Sequence, residues 1–293
     1  MKKLLLYLLS FLLLSTFSII KTKSSAIYVF NNIPFVLTNE EKNFLIENHI
    51  TYDDISPYLQ YSSFNVYKYY DYENIRLENN YSYLETVNYM KYPNYFNEYI
   101  SPNNSLFKNS NLILTNKSFY LNSYYVPSNL KPISSYNIHY IQRENEVMKS
   151  KSIVLDNYQK MYNEAQKNNI ELVIYSAYRS YHKQSELFYK VNNQNDRYSA
   201  KPGFSEHQTG LSLDISDTTH GLTLNLQYAN TFYWLNNNCY KYGFILRYPK
   251  GKEFFTKYNY EPWHYRYVGI EHSKIIHENN LTLEEYLFSY FEL

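Results

Sequence analysis

Glycine is scarce in this chain, with only six in 293 residues, yet two of them fall in the sixteen-residue run KPGFSEHQTGLSLDIS, from Lys201 to Ser216. Glycine opens backbone conformations that other residues rarely adopt. A chain so short of it has few places to turn tightly, and this run is one. It also carries a glutamate, His207 and Asp214, the last two seven residues apart. Beyond Gly210, Leu211, Leu213 and Ile215 alternate with Ser212 and Asp214. On a strand this puts the aliphatics on one face and Asp214, with the small Ser212, on the other. The run therefore predicts a turn followed by a core-packed strand that presents Asp214 to whatever lies opposite.

A second polar group stands in NYEPWHYRYVG, where Glu261 and His264 are three residues apart. On a regular strand they would point to opposite faces, so they share a site only if the strand bends at Pro262, which cannot complete a ladder. The two runs together supply two imidazoles and two carboxylates. A catalytic zinc site takes three N/O ligands and an open position, with a further carboxylate to accept a proton from water. His207, Asp214 and His264 fit as ligands and Glu261 as the base. Spacing alone leaves a second reading open, in which each residue has a separate, satisfied structural role.

The rest of the chain gives the setting. Leu4 to Ile20 is an uncharged, largely apolar run between lysine pairs, followed by Ser24 and Ala26, so residues 1–26 read as an export signal or, uncleaved, as a membrane anchor. Residues 27–110 are rich in Tyr and Asn and free of glycine. There LTNEEKNFLIENHI reads as a helix capped by Thr38, with further short helices in YDDISPYLQY and YSYLETVNYMKY. From residue 111 onward the order of elements is α+β. It comprises a candidate strand in NLILTNKSFYL, a helix in SIVLDNYQKMYNEAQKNNI, a buried strand in ELVIYSA, a helix in SYHKQSELFYKV, the strand LSLDI, a helix in YANTFYWLNNNCYKYG, and strands in FILRYP and EPWHYRYV.

Composition narrows the function classes. A formal net charge of +1 gives no reason to expect nucleic acid. The one cysteine, Cys239, cannot form an intramolecular disulfide and reads as a small buried hydrophobe. The 38 tyrosines would suit a carbohydrate-stacking surface, but codons for Tyr, Asn, Lys, Ile and Phe are all rich in A and T, so the count alone assigns no function.

The motifs SAYRSYHKQ, SEHQTGLSLD, YGFILRYP and EPWHYRYVG, in this order, resemble those of the VanY-like zinc D-alanyl-D-alanine carboxypeptidases, in the LAS group of peptidoglycan peptidases. The resemblance covers roughly residues 111–293. The family pattern Ser-x-His-x-x-Gly-x-Ala-x-Asp is matched by Ser205, His207, Gly210 and Asp214, with Ser212 in the alanine place, and the closing motif by Glu261, Trp263 and His264. The resemblance implies a compact domain with a central antiparallel sheet and flanking helices, preceded by a small helical region. It implies one zinc ion per chain on His207, Asp214 and His264, and Glu261 as general base and then acid toward zinc-activated water. It makes Arg179 a donor to an oxyanion or to the substrate's terminal carboxylate, and puts Gln184 and Ser205 at the substrate pocket. The expected activity is removal of the C-terminal D-alanine from peptidoglycan stem peptides outside the cytoplasmic membrane, the membrane being met only through the N-terminal segment. An L,D-carboxypeptidase, an endopeptidase and an inactive wall-binding protein are the alternatives, and a partner-binding role for residues 27–110 stays open. Arg247, in FILRYP, is expected to pair with a carboxylate behind the site.

Overall fold

The computed structural model describes residues 37–291, except 97–98, 100–102, 145, 192–195 and 197–198. The expected export segment lies outside the described residues, and among those described no helix is long and apolar enough to cross a membrane. The chain forms two compact units that divide between Pro93 and Asn94.

The first unit is helical, with α1 (Asn39–Glu47), a single turn at Tyr52–Ile55, α2 (Tyr69–Asn79) and α3 (Tyr83–Lys91). Thr38, Thr51 and Ser82 each start a helix with a reciprocal capping box, closed by Glu41, Asp54 and Glu85. A core of Leu45, Ile55, Tyr58, Phe64, Tyr72 and Val87 holds these short helices together. Tyr58 is its centre: its ring stacks on Phe64 at 4.8 Å and meets Tyr83 edge-on at 4.8 Å. Here tyrosine serves as a core residue, its bulk buried and its hydroxyl bonded to Glu73.

The second unit begins earlier than the composition boundary at residue 110. Tyr95 is buried within it, its ring against Phe288 and its hydroxyl donating to the carbonyl of Phe255. Helix α4 (Ser152–Lys167) precedes β1 (Val173–Ser176) and α5 (Tyr181–Glu186). There follow β2 (Ser212–Ser216), α6 (Asn230–Asn238), β3 (Phe244–Leu246), β4 (His264–Tyr267), α7 (Ile270–Glu278) and α8 (Leu283–Tyr290). The four strands form one antiparallel sheet in the order β1-β2-β4-β3. This is the α+β architecture the sequence predicts, with the central antiparallel sheet and flanking helices.

The sheet's two faces have different work. Leu213, Tyr265 and Leu246 lie in one cross-strand row and pack into the core with Val154, Tyr158 and Met161 of α4. The opposite face carries Ser176, Asp214 and His264 in one row, since Ser176 pairs with Asp214 and Asp214 with His264. The next row pairs Ser212 with Arg266. A bulge between Ile174 and Ser176 re-aims the end of β1 beside this face. Cys239 is buried in the core and its thiol is pushed up to about 12 by burial, as a small hydrophobe would be.

One expected strand is absent. Leu112–Leu114 are buried, but NLILTNKSFYL forms only isolated bridges and a two-residue pairing of Phe119–Tyr120 with Asn103–Asn104. The side chain of Asn116 accepts from the backbone N–H groups of Ser118 (3.0 Å) and Phe119 (3.3 Å), closing a turn in the middle of the segment.

Candidate metal centre

The sheet delivers two of the candidate ligands by register. Asp214 and His264 face each other across β2 and β4, so their side chains project side by side from the same face. His207 arrives from outside the sheet, on the one-turn helix Glu206–Thr209. Gly210 ends that turn in the left-handed region, at φ +68°, and lets the chain enter β2 at once. Gly203 is also left-handed, at φ +89°, and its carbonyl accepts from the N–H of Leu121 at 2.7 Å.

Among the described residues, His207, Asp214 and His264 form the one group whose ligand atoms lie within 4.8 Å of one another, all three buried. Nε2 of His207 is 3.3 Å from one oxygen of Asp214, and Nδ1 of His264 is 3.2 Å from the other. Each imidazole nitrogen thus stands against a different oxygen of Asp214, and one ligand atom from each residue can be chosen so that all lie within 4.8 Å, close enough to converge on one ion. The imidazoles approach through different nitrogens. Nδ1 of His207 donates to the carbonyl of Ala177 at 2.7 Å, which leaves the Nε2 lone pair facing inward. His264 turns Nδ1 inward instead. Oδ1 of Asp214 lies near it but makes no aligned hydrogen bond. A buried acceptor left without a donor is what a cation would satisfy.

Electrostatics agree with the donor set. Burial pushes the imidazole of His207 down, favouring the neutral form that can ligate. Asp214 stays ionised: burial opposes its charge, but His207 and His264 hold its carboxyl far below the ordinary range. For His264 burial is outweighed by the carboxylates of Asp214 and Glu206, and its pKa is raised to about 9.

Glu261 sits beside the trio, its carboxylate 3.5 Å from Nδ1 of His264, with 23% of its side chain exposed to the cavity. The expected strand bend at Pro262 is not how it gets there. β4 begins only at His264, and Glu261 precedes it in a turn in which the N–H of His264 points at the Glu261 carbonyl, 3.3 Å away. Burial, assisted by Asp214 and Glu206 and opposed by His264 and Arg179, pushes the Glu261 carboxyl up to about 7. A carboxyl in that range can both take and return a proton near neutral pH.

A cavity of about 210 Å³ opens over this group, and Arg179, Ser205, Glu261 and Trp263 line it. Trp263 also accepts the N–H of Ile215 through its carbonyl, so it braces β2 as well as walling the cavity. Arg179 follows β1; its backbone N–H donates to the carbonyl of His207, and its guanidinium donates to Ser176 (3.0 Å) and Gln184 (2.7 Å). Gln184 is buried behind Arg179 and does not line the cavity; its amide donates to Ser199 and to the carbonyl of Ala200. His220 is held by Asp217, and His182 is exposed.

Behind His264 lies a group of which the sequence marked only Arg247. Arg247 is fully buried, as are Glu206, Arg266 and Glu284. Arg247 donates to Glu206 and, with both terminal nitrogens, to Glu284 at 2.6–2.8 Å, while Arg266 donates to Glu206 at 2.7 Å. The expected carboxylate partner of Arg247 is thus a pair. Glu206 precedes His207 in the chain, and Arg266 lies two residues beyond His264 on the same strand face.

Comparison with known proteins gives this arrangement its family. The profile of the VanY D-alanyl-D-alanine carboxypeptidase family matches residues 148–270, which hold all three candidate ligands, Glu261 and Arg179. The solved structure of VanYB in complex with D-alanine-D-alanine is 31% identical, with a TM-score of 0.50, and the match covers 61% of this chain and 98% of that one. The chain belongs to the VanY family. It is also similar to the LdcB LD-carboxypeptidase, at 40% identity and a TM-score of 0.54, over 59% of this chain and 84% of LdcB. A Bacillus subtilis (strain 168) protein named "Putative carboxypeptidase YodJ" is 43% identical over 183 residues, which are 60% of this chain and 66% of YodJ. The chain thus spans just under two thirds of that relative's length.

Proposed function

We propose that this VanY-family protein is a zinc-dependent carboxypeptidase that removes the C-terminal D-alanine from peptidoglycan stem peptides. One observation carries the reading. A buried His-Asp-His trio whose ligand atoms lie within 4.8 Å of one another stands beside Glu261, a carboxylate that faces the cavity, in a chain similar to a protein solved with D-alanine-D-alanine. Export to the outer face of the membrane is part of the proposal and rests on residues 1–26 of the sequence.

His207, Asp214 and His264 would hold one zinc ion, which when bound supplies Lewis acidity toward the scissile carbonyl and makes water acidic enough to be a nucleophile near neutral pH. Glu261 takes the proton from the attacking water and then hands it to the leaving D-alanine nitrogen. The 23% of its side chain open to the cavity gives it access to both. Arg179, anchored at Ser176 and Gln184, offers its guanidinium to the substrate's terminal carboxylate or to the oxygen that gains charge during attack.

A second reading has specific support. The likeness to the LdcB LD-carboxypeptidase exceeds that to VanYB in both identity and TM-score, which favours a tetrapeptide stem. The deciding experiment incubates the zinc-loaded protein separately with pentapeptide and tetrapeptide stems and weighs the products by mass spectrometry, with Glu261→Ala as control. Loss of one alanine from the pentapeptide alone supports D,D cleavage, and loss from the tetrapeptide moves the assignment to L,D. Full activity in Glu261→Ala would overturn the mechanism, whose general acid–base step is worth about 10²–10⁴ in rate.

A further inference from the structure

The four buried charges behind His264 are an expensive way to fill a core, because apolar residues of similar volume commonly do as well or better. The arrangement of Glu206 suggests what this network does beyond packing. One carboxylate oxygen, Oε1, is taken up by two guanidinium donors, Nε of Arg247 and Nη1 of Arg266, each at 2.7 Å. The arginines are fixed in turn: Arg247 by Glu284, and Arg266 by the carbonyls of Asn111 and Ile113. The second oxygen, Oε2, accepts from Ser212 at 3.2 Å and faces Nε2 of His264 at 3.6 Å. That nitrogen is buried and makes no hydrogen bond of its own in the protein. The other nitrogen of the same ring, Nδ1, points at Asp214 and the metal position.

We infer that Glu206 is a positioning residue for metal binding, holding the ring of His264 with its proton on Nε2 so that Nδ1 presents a lone pair to the metal. The inference rests on the metal reading of the site given above. The reason is one of charge placement. With the proton on Nε2, an N–H faces a carboxylate and a lone pair faces the metal position. With the proton on Nδ1, a lone pair would face Oε2 and an N–H would occupy the metal position. Two arginines keep Glu206 from rotating away, and Tyr248, its ring centroid 4.8 Å from that of His264, limits the imidazole on another side. His207 has an equivalent arrangement made from backbone, with Ala177 in the role of Glu206.

The test compares zinc affinity, by competition with a chromogenic chelator, in the wild-type protein, Glu206→Gln and Glu284→Gln. Both variants remove one buried negative charge from the same network, but only Glu206 touches His264. Loss of an outer partner of a metal-binding histidine commonly costs about 10–100-fold in affinity. That loss is expected in Glu206→Gln, with affinity retained in Glu284→Gln although both melt at lower temperature. Equal affinity in Glu206→Gln and wild type overturns the inference, as does equal weakening in both variants, since that would be a merely structural effect. Should Glu206→Gln fail to fold, the zinc-loaded wild type decides by long-range 1H–15N spectra of its imidazoles. A downfield, slowly exchanging Nε2 proton on His264 supports the inference, and a His264 bound through Nε2 overturns it. A wild-type protein that binds no zinc overturns the metal reading itself, which separates the two failures.

Discussion

Gln184 holds Arg179: Nη1 of the arginine donates to the glutamine's Oε1 at 2.7 Å, while the glutamine's amide nitrogen donates to Ser199 and Ala200. The amide that the family resemblance puts at the substrate pocket is therefore committed to fixing the guanidinium. Gln184→Leu keeps most of the volume and removes every one of these bonds. Since small misplacements of a positioning group can cost about 10²-fold, kcat/KM is expected to fall by about 10- to 100-fold with zinc affinity unchanged. Steady-state kinetics beside a chelator titration checks this. Unaltered kinetics would show that Arg179 needs no such clamp.

Removing Arg247 leaves Glu284 buried without its cation and Glu206 with Arg266 as its one remaining guanidinium partner. Breaking a buried ion pair from one side typically costs about 3–5 kcal/mol, and Arg247→Ala is expected to fall in that range by denaturant unfolding. A cost near that of a surface pair, about 0–1 kcal/mol, would contradict the full burial of this network.

The two glycines Gly203 and Gly251 separate backbone strain from collision. Both are left-handed, at φ +89° and +79°. A Cβ on Gly203 would stand 2.7 Å from the carbonyl oxygen of Leu121, whereas one on Gly251 meets nothing within 4 Å. Each alanine substitution carries the left-handed cost of about 1–2 kcal/mol. Gly203→Ala is expected to lose measurably more stability than Gly251→Ala in parallel thermal melts, because a backbone carbonyl cannot swing aside.

The helical first unit should weaken in acid. Glu73 receives two hydrogen bonds from Arg76, at 2.9 and 2.7 Å, and one from Tyr58. The Arg76 guanidinium holds the Glu73 carboxyl below its ordinary 4.5, against a smaller opposing effect of burial. The folded value is the lower one, so the contribution to stability is present above 4.5 and is lost as pH falls through the folded value. Wild type is expected to lose more stability than Glu73→Gln over that interval, by melts that follow the tyrosines of the first unit.

The sequence made some parts of the site readable and hid others, for physical reasons. Alternation of Leu211, Leu213 and Ile215 with Ser212 and Asp214 is a local property of one strand, so the facing of Asp214 could be read directly, and β2 bears it out. The approach of Glu261 was misread because its position depends on where β4 starts: the strand begins at His264, and a turn ahead of it does what a bend was expected to do. Glu206 could not be distinguished by pattern. Its role arises from Arg247 and Arg266, 41 and 60 residues away, and nothing local announces such a meeting. The missing strand at Leu112–Leu114 is the opposite case, where a short apolar run looked like a strand and a single side chain, Asn116, folded it into a turn.

The pairing of Asp214 with His264 has a consequence for how the protein is made. Side chains alternate faces along a strand, so a slip of one residue between β2 and β4 would send one of the two ligands to the far side of the sheet. The metal position then exists only in molecules whose two middle strands have aligned correctly. On the proposed zinc reading, the ion would bind, and so stabilise, only molecules in which β2 and β4 are paired in this register.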